Sequence, residues 1–422
     1  MDAAKDGDTI IVYSGTYEEN VDVNKELTII SQSGNPEDTI VQPANSSDHV
    51  FHVTADGVKI SGFGITGAIG TGCAGIYLEG VEYCLIENNT ANLNEYGIYL
   101  MGSSNNTLNN NTASNNTADG INLDSQKREL EGGEILIVAV SSGNMLINNA
   151  ANSNNDRGIY LDCRSGHNKL ENNKASNNGQ GIFLYYSRCN VLNNNTANLN
   201  SDSGIYLISS SSNTLSNNTA SNNTENGIIL DHGVVWVECG DVIGSSGNIL
   251  INNAANSNSE SGIYLYSDGN TLNNNTVSNN YYGMRLANFE DYFDSYTGDN
   301  TLYNNTVSSN YYGMLLEDFS NNFIYNNYFN NTNNTYFEGT NTGNIWNTTK
   351  TPGTNIVGGP FLGGNYWSDY AGDDTNGDGL GDTLLPYNCE GQIANGGDYL
   401  PLVTPAEPPV PATIYTVNSG AG

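Results

Sequence analysis

The sequence predicts an all-β solenoid, a parallel β-helix of about 22 to 23 residues per coil. Three observations carry that prediction. The first is a Gly-Ile-x-Leu-like triplet. Its glycine recurs at Gly75, Gly97, Gly120, Gly158, Gly181, Gly204, Gly227, Gly262, Gly283 and Gly313, and from Gly158 to Gly227 the spacing is a constant 23 residues. The second is an asparagine-rich half-unit, N-x-L/I-x-N-N, which begins at Asn106, Asn144, Asn168, Asn190, Asn213, Asn248, Asn270, Asn300 and Asn322. The third is the placement of apolar residues. In Gly204-Ile205-Tyr206-Leu207 the isoleucine and leucine lie two apart and share a strand face, while Tyr206 points the other way. No 3.6-residue apolar period accompanies them, and tracts this rich in Asn and Gly form helices poorly.

One unit offers only three or four apolar side chains, too few to fold alone. Stacking coils at about 4.8 Å lines those side chains into one core. Asparagines at equivalent positions of successive coils are then expected to form hydrogen-bonded ladders and to occupy left-handed turns.

In chain order, residues 1–72 carry β-branched runs (Thr9 to Tyr13, Leu27 to Ile30, Thr39 to Val41, Val50 to Val53, Val58 to Ile60) broken by turn residues, and read as the first coils. Residues 73–328 are the repeat proper. Insertions at 124–143, 231–247 and 287–299 fall at the same point of the coil and should emerge on one side. The first two contain EILIVAV and VVWVE and read as hairpins. Residues 329–402 close the solenoid, 403–412 (VTPAEPPVPA) form an extended Pro-rich linker, and Thr413, Ile414, Tyr415, Thr416 and Val417 open a further strand in 413–422.

The opening DGDTIIVYSGTYEENVDV with LTIISQSG resembles the first coils of the carbohydrate-binding and sugar-hydrolase (CASH) right-handed β-helix proteins. In that family a short amphipathic helix precedes these coils. The resemblance implies that this chain keeps only its end, Asp2 to Lys5, and leaves the first coil uncapped. Residues 75 to 402, with NIWN, GGNYWSDY and the DGLGDT stretch, resemble the NosD-like family, a periplasmic copper-accessory name carried by archaeal surface β-helix proteins. That resemblance implies an extracellular or cell-surface place.

Charge bounds the partners. There are 12 Lys+Arg against 45 Asp+Glu, a net −33, which repels nucleic acid and anionic membrane. No apolar stretch is long enough to span a bilayer. No signal peptide is read at the start; with the surface reading, this suggests a piece of a larger exported protein. Sequons stand at Asn45, Asn88, Asn105, Asn110, Asn115, Asn194, Asn217, Asn222, Asn274, Asn304, Asn330, Asn333 and Asn347 and are glycosylation candidates. Among six cysteines, Cys163 with Cys189, or Cys73 with Cys84, could pair in an oxidising compartment, or each could be a small buried side chain.

The sharpest motif is the calcium-type loop of Asp374, Asn376, Asp378, Leu380 and Asp382. Hard oxygens alternate along it, Gly379 allows the sharp turn, and Leu380 offers its carbonyl; Leu385 stands where an EF-hand has its bidentate Glu. Asp373 or Asp398 could complete the shell, and Ca2+ would fix the cap. Copper needs clustered His, Met or Cys. His49 and His52, three apart in a strand, are expected on opposite sides. Enzymes on this fold cleave or epimerise acidic polysaccharide, and Asp124 and Asp162, on consecutive coils, could approach within about 5 Å as a catalytic pair or be plain acidic turns. Tyr77, Tyr99, Tyr160, Phe183, Tyr206 and Tyr264 form an outward column that either binds sugar faces or stabilises neighbouring strands.

The reading that results is a non-enzymatic structural or adhesive domain of a cell-surface, sheath or filament protein. Its copies would join head to tail through residues 413–422, with surface glycans as further partners. The alternatives are a carbohydrate-binding or polysaccharide-cleaving protein, and copper delivery.

Overall fold

The computed structural model describes residues 3–130, 135–233, 244–288, 298–393 and 396–405. Each coil contributes a strand or a single bridge to each of three parallel sheets. Among the described residues, the sheet built from the triplets has thirteen strands, from Val21–Val23 through Ile205–Ile208 to Asn333–Glu338. The sheet built from the Asn half-units also has thirteen, from Thr9–Val12 to Phe323–Tyr325. The third sheet is narrower. Its strands run from Gly15–Glu18 to Thr90–Ala91 and from Ala254–Asn256 to Tyr366–Trp367, and single bridges such as Lys174 with Thr196 link the coils between.

Register follows the repeat. Ile205 pairs with Ile182 and Ile228, and Leu207 with Leu184 and Leu230. In one coil Ile182, Leu184, Leu192 and Ala197 are all fully buried, so each turn adds four apolar side chains to one column. The triplet glycine is required by close approach. A Cβ on Gly181 would lie 2.4 Å from the Gly204 carbonyl oxygen and 2.7 Å from Asn200 Nδ2.

The two asparagines that end each half-unit divide the work. The first, such as Asn110, Asn194 or Asn217, takes a left-handed φ of 55–58° at an exposed corner, a conformation Asn tolerates better than most residues. The second is buried and links three coils. Asn195 Oδ1 accepts from Asn173 N at 2.9 Å and Asn173 Nδ2 at 3.0 Å, while Asn195 Nδ2 donates to Leu170 O and Asn218 Oδ1, both at 3.0 Å. Two further ladders run through Asn106, Asn144 and Asn168 and through Asn116, Asn154 and Asn178. The ladders expected from the sequence are therefore present, three to a coil.

The last turns replace the repeat with aromatic packing. Trp367 lies 4.6 Å from Phe329, 5.9 Å from Trp346 and 5.0 Å from Tyr387, centroid to centroid. Asn365 of GGNYW continues the ladder from Asn327, and Asp398 ends it by accepting Asn365 N at 2.7 Å, Trp367 Nε1 at 2.9 Å and Leu400 N at 3.0 Å. A carboxylate only accepts, so it asks no further coil for a partner.

The first insertion is a hairpin, Gln126–Glu129 antiparallel to Ile135–Ala139. Most of the other two insertions, and residues 406–422 with the 413–417 strand, lie outside the described residues. Neither cysteine pairing forms. Cys73, Cys84 and Cys189 are free, whereas Cys163 is disulfide-bonded. Cys189 is half-buried at a left-handed corner, φ 59°, and Cys163 is fully buried.

Candidate functional site

The outward face of the triplet sheet carries the densest group of titratable side chains. Coil-to-coil register sets Asn122 between Tyr99 and Tyr160, and Asp124 follows Met101 in the adjacent column. Asp162 N donates to Leu123 O at 2.8 Å, which puts Asp162 beside Asp124. The pair expected from the sequence forms. One ammonium, that of Lys127, reaches both carboxyls. Burial, then the Asp162 charge, pushes Asp124 up to about 7. Burial opposes ionisation of Asp162 as well, but its hydrogen bonds with Asp124 and Tyr160 and the charge of Lys127 hold it below the usual carboxylate range.

Lys127 was missed by sequence reasoning because it enters from the hairpin. Its Nζ lies 3.0 Å from Asp162 Oδ2 and 3.5 Å from Asp124 Oδ1. Tyr99 donates to Asp124 Oδ2 at 3.2 Å and Tyr160 to Asp162 Oδ1 at 2.8 Å. On the other flank Arg157 stacks 4.0 Å above the Tyr160 ring and lies 3.6 Å from Asp119, whose carboxyl burial raises to about 7. Asn122 Nδ2 donates to Asp119 at 3.3 Å, but Asn122 Oδ1 is buried with no hydrogen-bond partner among the described residues. The aromatic column is interrupted at Asn122 and again at Ile229. Between the gaps Tyr160, Phe183 and Tyr206 stand 5.2–5.4 Å apart.

His49 and His52 do not face opposite sides. Their rings lie 5.5 Å apart, because His49 precedes strand Phe51–Val53 rather than sharing its alternation. Both are engaged: His49 Nδ1 accepts from Ala74 N at 3.0 Å, and His52 Nε2 lies 2.9 Å from Glu79 and Nδ1 3.7 Å from Asp22. Among the described residues no group of three or more His, Cys, Asp or Glu is placed to hold a metal ion.

In the calcium-type loop Asp374 accepts from Gly377, Asp378 and Gly379 amides, and Asp382 from Thr375 and Asn376. Asp378 meets the Lys350 ammonium. Asp398 is committed to the ladder end and does not complete this loop. The donor set is all oxygen, as a hard cation needs, and Lys350 is the cation such an ion would displace.

Every sequon asparagine is at least partly exposed, and Asn88, Asn105, Asn110, Asn115, Asn194, Asn217, Asn222, Asn274 and Asn304 sit at left-handed corners. No helix among the described residues is long and apolar enough to cross a membrane.

Comparison with known proteins agrees with this architecture. The family model described as "Periplasmic copper-binding protein (NosD)" matches residues 1–136, 128–235 and 238–372. A cell surface glycoprotein of Methanothermus fervidus is 41% identical over 85 residues, 20% of this chain and 13% of that relative's length. Two solved structures share the fold at 15% identity. One is the A-module of the mannuronan C-5 epimerase AlgE6 of Azotobacter vinelandii, with TM-score 0.51, covering 82% of this chain and 91% of that one. The other is a GH87 α-1,3-glucanase catalytic domain with tetrasaccharides, with TM-score 0.53, covering 80% of this chain and 65% of that one. A family match of this extent, on a continuous parallel β-helix, places the chain in the NosD family of periplasmic copper-binding proteins.

Proposed function

We propose that the chain is a non-enzymatic structural and adhesive β-helix domain of an extracellular surface protein, which assembles head to tail. The observation that carries the surface reading is the partition of asparagines. Buried ones hold the coils together, while all thirteen sequons lie where an oligosaccharide transferase could reach them. The relative named a cell surface glycoprotein and the periplasmic family support the same location. Assembly is supported by the first coil. Strand Thr9–Val12 ends its sheet, with Ile11 54% and Tyr13 67% exposed, an edge suited to pairing with another strand. Residues 413–417 (TIYTV) are the proposed donor.

Sedimentation of the full chain and of one ending at residue 402 tests this. Concentration-dependent association of the longer chain alone is expected. If both stay monomeric, head-to-tail assembly through the tail is wrong.

Copper, named by the family description, does not fit the His49–His52 pair, because three of its four ring nitrogens already face protein groups. Ca2+ at Asp374, Asn376, Asp378, Leu380 and Asp382 remains part of the proposal, as a brace for the cap.

A further inference from the structure

We infer that Lys127 and Asp162 form an intramolecular isopeptide bond, with Asp124 as the group that moves the protons, and that this bond fastens the inserted hairpin to the coil that follows it. The three side chains come from three places. Asp124 ends strand Ile121–Asp124, Lys127 stands on hairpin strand Gln126–Glu129, and Asp162 follows strand Arg157–Leu161 of the next coil. Lys127 Nζ donates to Asp162 Oδ2 at 3.0 Å and lies 3.5 Å from Asp124 Oδ1. Water is largely kept out, since the side chains of Lys127, Asp124 and Asp162 are 26%, 17% and 11% exposed. An amine and a carboxyl held this way react as one molecule, without the entropy cost of an encounter.

The two carboxyls are not equivalent. Asp162 Oδ1 accepts from Tyr160 OH and from Cys163 N, both at 2.8 Å, so two donors converge on one oxygen. Such a pair stabilises the oxyanion that forms when an amine adds to the carboxyl carbon, and it leaves Oδ2, which faces Lys127, as the oxygen that departs. On Asp124 the donors fall on different oxygens, Ser125 N on Oδ1 and Tyr99 OH on Oδ2. Burial pushes Asp124 up to about 7, so it takes up and returns a proton near neutrality. The step balances without a co-reactant. The ammonium gives one proton through Asp124 to Asp162 Oδ2, and the lone pair freed on Nζ bonds to Cγ. The Cγ–Oδ2 bond then breaks, and Oδ2 leaves as water with a second proton from Nζ, again carried by Asp124. An ammonium and a carboxylate become a neutral amide and one water, and Asp124 ends as it began.

The second insertion supplies a comparison within the chain. Asp231 begins it and accepts from Tyr206 as Asp124 does from Tyr99. On the following coil, however, Tyr266 takes the place of Asp162: its N–H donates to Leu230 O at 2.8 Å, as that of Asp162 does to Leu123 O. Residues 232–247 also contain no lysine. Amine, carboxyl and proton carrier coincide only at the first insertion of the two.

The bond does not depend on head-to-tail assembly. The test is intact-mass spectrometry of the full chain, made in a host that adds no glycans, incubated folded at pH 7 and then reduced. The expected mass is one water below that of the sequence, and proteolytic mapping is expected to return a branched peptide joining Lys127 to Asp162. Lys127→Arg keeps the ion pair without the nucleophile and, like Asp162→Ala, should retain the full sequence mass. Asp124→Asn should slow the loss of water roughly a hundredfold or more. Circular dichroism shows whether each variant is folded, and the parent measurement needs no variant. A parent chain that keeps its full sequence mass after prolonged incubation holds an ordinary ion pair, and the inference is overturned. Loss of water in folded Lys127→Arg, or an unchanged rate in folded Asp124→Asn, overturns it equally.

Discussion

Replacing Asn195 by alanine removes one rung from the middle of a ladder. The rung satisfies groups on both neighbouring coils. Without it the buried Asn173 N–H loses its acceptor and Leu170 O loses its side-chain donor. Two orphaned buried groups at about 1–3 kcal/mol each, with the small cavity left by the amide, give a loss of roughly 3–5 kcal/mol. The sequon at Asn194 survives, so glycosylation is not confounded. Asn195→Asp keeps the acceptor but cannot donate to Leu170 O or Asn218 Oδ1, so it should be worse at pH 7 than at pH 4. Urea denaturation with hydrogen exchange across coils 168–230 measures both, since a solenoid can open locally. A loss below about 1 kcal/mol for Asn195→Ala would refute the ladder as a stabilising element.

Further expectations follow from the same structure. Burial raises Asp119, Asp124 and Asp398 to about 7. Their folded values lie above the unfolded one, so the stability linked to their protonation is complete below about pH 4 and falls as pH rises through 7. Each group contributes up to about 1.4 kcal/mol per pH unit in that window, and thermal midpoints at pH 5 and pH 8 check the sign. Gly181→Ala forces a Cβ to 2.4 Å from the Gly204 carbonyl and should cost about 1–3 kcal/mol or more by denaturation. Leu93, 62% exposed at φ 59°, should gain about 1 kcal/mol as Leu93→Asn, because Asn accepts the left-handed corner more readily. If Ca2+ braces the cap, it should raise the thermal midpoint, and Lys350→Met should strengthen binding by calorimetry; no calcium effect on either chain would remove the brace.

The repeat was legible because it is written twice in each coil, once as strand alternation and once as asparagine spacing. Ile205 and Leu207 are fully buried and Tyr206 half-buried, as their two-residue spacing implies. The Asp124–Asp162 pairing was legible for the same reason, since equal coil positions become neighbours. What spacing could not show is what enters from outside the coil. Lys127 arrives on a hairpin that no coil spacing places. The His49–His52 contact was misread because strand alternation was extended to His49, two residues before the strand begins at Phe51. Asp398 looked like a calcium ligand by composition. Its true place, at the end of a ladder, depends on a chain reversal that no local pattern encodes.

The central claim is that buried asparagine side chains, alongside the strands, join each coil to the next. Residue-resolved hydrogen exchange of the ladder amides, among them Asn111, Asn149, Asn173, Asn195 and Asn218, tests it most directly. Each of these N–H groups donates to an Asn Oδ1 on the following coil at 2.9–3.0 Å. They are expected to exchange as slowly as the core strand amides of Ile182 and Leu184. Exchange as fast as in an unfolded chain would contradict the account.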